Sequence, residues 1–147
     1  MHETPSAARI PALSRPADAP PVIVADSDAA RRNLELFDEL DFEAWNGRDW
    51  DRFHELHADH VHVSGFGQTT DGIDDHLAWA RGFVSQVPDA KVLAHPLQIA
   101  AGDWTVVVGS NSDGSKAATI ARWESGQIVE EYLFVLMPGP AAPESQR

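Results

Sequence analysis

Glu131 stands in the last of a series of alternating apolar segments, where its surroundings would decide its chemistry. If Ser125-Gly126 is a two-residue turn, it pairs Trp123 with Ile128, Arg122 with Val129 and Ile120 with Glu131. Alternation then puts Ile120, Val129, Glu131 and Leu133 on one face, and Thr119, Trp123, Tyr132 and Phe134 on the other. A glutamate enclosed by apolar groups has a raised pKa and serves as a general acid or base near neutral pH. The same carboxylate can instead pair with Arg122, which lies diagonally across on the adjoining strand.

The histidines offer less. His54, His57, His60 and His62 are close in sequence, but the first two fall on a helix and the others on a strand, and no HExxH spacing links them. They read as exposed or capping imidazoles, and no metal is expected. His76 falls off the apolar stripe of its helix and reads as exposed, while His95 and Gln98 lie on opposite faces of one strand, so at most one points inward. The chain has no cysteine, which removes thiolate nucleophiles and thiolate metal ligands. No phosphate-cradling glycine loop and no spacing for a Ser–His–Asp nucleophile is present, and no cofactor is expected.

The elements that must position these groups are readable from periodicity. Ser27 or Asp28 caps a helix whose Leu34, Phe37, Leu40 and Ala44 recur at helical spacing, and Asn46-Gly47 ends it. Asp49 caps a short second helix with Trp50, Phe53 and Leu56 inward. Residues 59–66 alternate as a strand, with Val61 and Val63 on one face and His60, His62 and Ser64 on the other. Thr70-Asp71-Gly72 opens a third helix, in which Ile73, Leu77, Ala80, Val84 and Val87 form the stripe before Pro88-Asp89 stops it. Four further strands, 91–100, 104–110, 116–124 and 127–136, are separated by tight turns and form an antiparallel meander. Helices first and a curved antiparallel sheet afterwards is an α+β arrangement.

These signals divide the chain into a flexible Pro/Ala-rich arm over 1–26, one domain over 27–137 and a disordered tail over 138–147. Within the arm, Val22-Ile23-Val24 is an apolar patch able to pack on the domain or on a neighbouring chain. Against 23 acidic residues stand 11 basic ones, a net charge of −12 that repels phosphate backbones and anionic lipid. No nucleic-acid or membrane partner is expected. No apolar run approaches the roughly 20 residues of a bilayer span, and residues 1–21 lack the apolar centre of a signal peptide, so a cytoplasmic location is expected.

The segments Trp45-Asn46-Gly47-Arg48-Asp49-Trp50, Leu56-His57-Ala58-Asp59-His60-Val61, Gly102-Asp103-Trp104 and Gly126-Gln127-Ile128-Val129-Glu130-Glu131-Tyr132 carry a resemblance. In that order, over about residues 28–136, the chain resembles the SnoaL-like polyketide cyclases, whose cone-shaped fold is shared with nuclear transport factor 2 and the ketosteroid isomerases. The resemblance implies a curved sheet wrapped around the N-terminal helices, with an internal pocket lined by the face that carries Glu131. It also marks a departure: Leu133 stands where relatives carry the acid/base Asp. Ser64 falls near the position that the ketosteroid isomerases give to their catalytic Asp.

The implied function is a polyketide cyclase of antibiotic-type biosynthesis, closing a ring in an apolar linear intermediate. With Leu133 at the family's acid position, a concerted cycloaddition of the four-plus-two kind would need only a pocket that folds the substrate. The alternatives are an isomerase, dehydratase or epoxide hydrolase using Glu131, or a non-catalytic small-molecule-binding dimer. Trp45, Phe42, Ser64, Phe66, Ile120 and Leu133 are the expected substrate contacts. A homodimer is expected through the outer sheet face, with Trp123, Tyr132 and Phe134 as its apolar patch.

Overall fold

The computed structural model describes residue 16 and residues 18–138. Ser27 holds extended backbone, and its side chain accepts the Ala30 N–H at 3.0 Å, satisfying one of the free donors that open α1 (Asp28–Asp38). Without a break the chain continues into a π-helical segment, Glu39–Trp45. The wider turn turns Leu40 and Ala44 into the core while Asp41 and Trp45 reach a neighbouring cavity. Asn46 and Arg48 then fasten this end: the Asn46 amide donates to Val92 O at 2.8 Å and accepts from Val92 N at 2.9 Å, and Arg48 donates to Pro88 O and Ala90 O. Asp49 caps α2 (Trp50–Glu55) by accepting the Arg52 N–H.

Seven strands follow the order β1-β4-β5-β6-β7-β2-β3 in one curved, unclosed sheet. The expected meander is present as β4 (Val92–Ala101), β5 (Trp104–Asn111), β6 (Lys116–Glu124) and β7 (Gln127–Leu136), all antiparallel neighbours. The sheet as a whole is mixed, because β1 (Val22–Ala25) pairs parallel with β4 and β2 (His57–Gly65) pairs parallel with β7. β3 (Gln68–Asp71) folds back on β2, and Gly72 leads into α3 (Ile73–Gln86). Val22-Ile23-Val24 thus packs on its own domain's sheet edge, inside the segment expected as an arm. Residues 1–15 of that arm and the tail after Pro138 lie outside the described residues.

Two irregularities correct the strand reading. Trp123 pairs with Ile128 as expected, but Arg122 pairs with Glu130 and Ile120 with Tyr132, so Val129 is an extra residue. That bulge flips the rest of β7. Glu131 and Leu133 share the concave face with Ala121 and Thr119, and Ile120 faces outward beside Tyr132. In β4 the register slips between Ala94 and Leu97, which brings both His95 and Gln98 inside, 4% and 2% exposed.

The core forms where α1, the π-helical segment and α2 lie on the concave face, around Leu34, Phe37, Leu56, Val61 and Ile128. Trp123 belongs to it, 2% exposed and donating from Nε1 to Thr105 Oγ1 at 2.9 Å. It therefore cannot serve the outer patch for which it was expected.

Candidate active site

Between the concave face and the helices lies a cavity of about 790 Å³, within the range of small-molecule sites. One wall is aromatic. The Trp79 ring stacks on His76 (5.7 Å, 4° between planes) and on Phe83 (5.5 Å), and Trp45 stacks on Trp79 at 6.5 Å. Such a wall suits a flat or conjugated apolar ligand.

Polar groups converge at one end of this cavity. Glu131 from β7, His57 from the start of β2 and His76 from α3 all line it and are each under 5% exposed. His57 Nδ1 lies 2.6 Å from Phe53 O, a carbonyl that only accepts, so that nitrogen carries a proton. Its Nε2 lies 3.1 Å from Glu131 Oε1, and a hydrogen bond there requires a second proton shared by the pair. Burial pushes the Glu131 carboxyl up, but the hydrogen bond from His57 and the proximity of both imidazoles outweigh it and hold it below the ordinary carboxylate range. Glu131 therefore presents a carboxylate to the two imidazoles.

His76 completes the group with Nε2 3.6 Å from the same Oε1 and Nδ1 3.5 Å from Thr70 Oγ1. Burial lowers its pKa to about 4, Glu131 opposing and His57 adding to the effect, so it is neutral at pH 7. The side chain of His57 is fully buried, whereas those of Glu131 and His76 keep a trace of exposure. A ligand in the cavity would meet the latter two, with His57 behind them. The three residues also offer donor atoms within 4.8 Å of one another, a set whose chemistry suits a divalent cation as well as a proton.

Of the residues singled out from sequence, Glu131, Trp45, Phe66 and Leu133 line the cavity together. The others do not join them. Phe42 is 37% exposed and packs at a tilt against His95, Ser64 bonds His62 and Thr69 at the sheet surface, and Ile120 is on the outer face. Arg122 pairs with Glu130 at 2.5 Å and with Glu124 at 2.9 Å, leaving Glu131 to the histidines. His57 and His76 are buried, contrary to expectation. His57 opens β2 and does not end the preceding helix; a register shift separates it from His62, so it is buried beside Ala58 while Asp59 and His60 face out. His76 stands in a helical series with Ile73, Ala80 and Phe83, a signal hidden in the sequence because only apolar residues were counted as inward.

A second buried histidine site lies across the sheet. His95 donates from Nδ1 to Asp38 Oδ1 and from Nε2 to Asp41 Oδ2, both at 2.7 Å, with the Phe42 ring tilted against it at 4.4 Å. Burial alone would lower its pKa, but the two carboxylates lift it to about 9. The stabilisation is complete below the unfolded value near 6.5 and is lost as pH rises through about 9. After screening at the part-exposed Asp38, the loss amounts to about 2–3 kcal/mol. Urea unfolding at pH 6 and pH 10 should show that drop in the wild type and a much flatter response in His95→Gln; parallel curves would contradict it.

The sequence pattern of one family, described as a SnoaL-like domain, matches residues 41–131. No curated protein matches the chain. Among solved structures, it is similar to a SnoaL-like protein of unknown function from Burkholderia thailandensis (17% identity, 73% of this chain and 98% of that one, TM-score 0.64). A candidate ketosteroid isomerase from Kribbella flavida gives 18% identity over 80% and 87% of the two chains, TM-score 0.65. A candidate SnoaL-like polyketide cyclase from a Jannaschia species gives 19% over 74% and 88%, TM-score 0.65. At these identities the likeness is one of fold.

Proposed function

The chain belongs to the SnoaL-like domain family, and from that premise we propose that it is an enzyme that isomerises or cyclises an apolar small molecule by proton transfer, with Glu131 as the base. One observation carries this reading: a buried carboxylate in the wall of a largely apolar cavity, hydrogen-bonded to an imidazole that a backbone carbonyl holds in place. A desolvated carboxylate abstracts a proton from carbon or oxygen efficiently, because it need not shed water first. His57 balances its charge and orients it, and neutral His76 can accept or donate at the same point.

Leu133 no longer argues against such chemistry. Residues two apart on a strand share a face, so a carboxylate at 131 reaches the cavity wall that position 133 faces. A cycloaddition that only folds the substrate has no use for a buried base, so the geometry favours the proton-transfer alternative. The test is the ring opening of nitrobenzisoxazole, which begins with removal of one C–H proton and yields a coloured phenolate. Glu131→Gln should lose this activity; a variant as active as the wild type would reduce the cavity to a binding site.

We also propose that two copies pair through the outer sheet face. The row Val24, Ile99, Val106, Ile120 and Tyr132 runs in register across five strands, and Phe134 beside it is 60% exposed. Light scattering at micromolar concentration should give twice the chain mass, and Ile99→Asp should give one. A monomeric wild type would rule the pairing out.

A further inference from the structure

We infer that Asp41 is a second substrate anchor, which selects molecules bearing a hydrogen-bond donor at the end remote from the one that Glu131 deprotonates. This rests on the reading of the cavity as the substrate site.

Glu131 and Asp41 line the cavity against opposite parts of the sheet, and Asp89, Lys91, Asn111 and Asp113 also contribute to its wall. Glu131 and His57 belong to β7 and β2, whereas Asp41 is held by His95 of β4. In the sheet order β4 and β7 are separated by β5 and β6, three strand spacings or roughly 14 Å along the curved surface. Between them the wall is Phe37, Leu40, Val107, Thr119 and Leu133, apolar but for one hydroxyl.

Asp41 lines the cavity and keeps 20% of its side chain exposed. Its Oδ2 is taken by His95, and no described residue bonds its Oδ1. The imidazole is bonded on both nitrogens, so it cannot itself turn to a ligand. What remains for a ligand is one fixed carboxylate oxygen, an acceptor. With His95 protonated between Asp38 and Asp41, the cluster carries one net negative charge, whereas the proton shared by His57 and Glu131 leaves the other end neutral. The π-helical turn that carries Asp41 is pinned by Asn46 and Arg48, so the oxygen is held before a ligand arrives.

An acceptor of this kind favours a hydroxyl, an amide N–H or an ammonium group and rejects a carboxylate or phosphate. The substrate class is therefore an elongated apolar molecule, uncharged or cationic, with a donor group at its far end. An anionic group is disfavoured at the Asp41 oxygen itself, Lys91 being the cationic residue of the cavity wall.

Quenching of Trp45 and Trp79, both in the cavity wall, reports binding. The probes are trans-stilbene, its para-monophenol, its para,para-diphenol and the dimethyl ether of that diphenol. A hydrogen bond to a charged acceptor strengthens binding by about tenfold or more. In the wild type the diphenol should bind at least about tenfold more tightly than the monophenol and than the dimethyl ether. Asp41→Asn should cut the diphenol's advantage over the monophenol to within about threefold, with stilbene affinity unchanged as the sign of an intact cavity. The wild-type preference over the dimethyl ether needs no variant, so a failure of Asp41→Asn to fold would not shelter the claim. An advantage that survives Asp41→Asn but disappears in Glu131→Gln overturns the Asp41 anchor and leaves the Glu131 reading standing. No saturable quenching by any probe counts against both.

Discussion

Replacing His57 by leucine should lower the unfolding free energy by about 3–5 kcal/mol at pH 7, the cost of leaving a buried charge without its partner. The loss should be uneven in pH. Stripped of the hydrogen bond and charge of His57, Glu131 would keep the upward effect of burial, opposed only by the smaller effect of His76. It would then fold best when protonated, so the deficit of the variant should shrink as pH falls toward the carboxylate range and grow as pH rises. Urea unfolding at pH 5 and pH 8 checks this. A second substitution, Glu131→Leu, in the same chain should recover most of the lost stability, because two apolar residues can replace a buried ion pair with little cost. If the double variant is no more stable than His57→Leu alone, the pair is not an interacting unit.

Glu131→Gln should reduce proton abstraction by about a hundredfold to ten-thousandfold, the usual contribution of a placed general base. Gln keeps the size of the side chain and can still accept from His57, so folding should be little affected while the group that takes the proton is gone. Two features make the effect large here. The carboxylate is enclosed and 4% exposed, so it has little water to shed before reacting, and His57 fixes one oxygen while no described residue bonds the other.

The fold was legible because its signals are local. Caps at Ser27 and Asp49, the turn at Ser125-Gly126 and the alternation of the four meander strands each act over a few residues, and the structure has all of them. What was not legible is where the strands slip. Val129 is apolar on either face and nothing in its neighbours marks it as the extra residue, yet its bulge decides that Glu131 faces the cavity beside Thr119 and away from Arg122. The slip between Ala94 and Leu97 likewise brings His95 to the same side as Gln98. A bulge is fixed by the packing of whole strands, which a single sequence does not display.

The histidines were missed for a different reason. An imidazole is polar, and counting it as outward is sound until a buried acid exists to pair with it. Once Glu131 is inside, its charge needs donors; His57 meets it from the start of β2, ahead of a register shift, and His76 stands in line with Ile73 and Ala80 on α3. Each buried polar group here is explained by another, a long-range dependence that periodicity within one element cannot reveal.

The central claim is that Glu131 takes the proton, and the rate of nitrobenzisoxazole ring opening between about pH 5 and pH 9 tests it most directly, in the wild type and in Glu131→Gln. A carboxylate held below its ordinary range stays ionised throughout, so the wild-type rate should hold down to pH 5 while Glu131→Gln stays near the background at every pH. A wild-type rate that falls about tenfold per unit below an ordinary imidazole pKa near 6.5, or one that Glu131→Gln retains, would mean that a histidine or no base at all does the work.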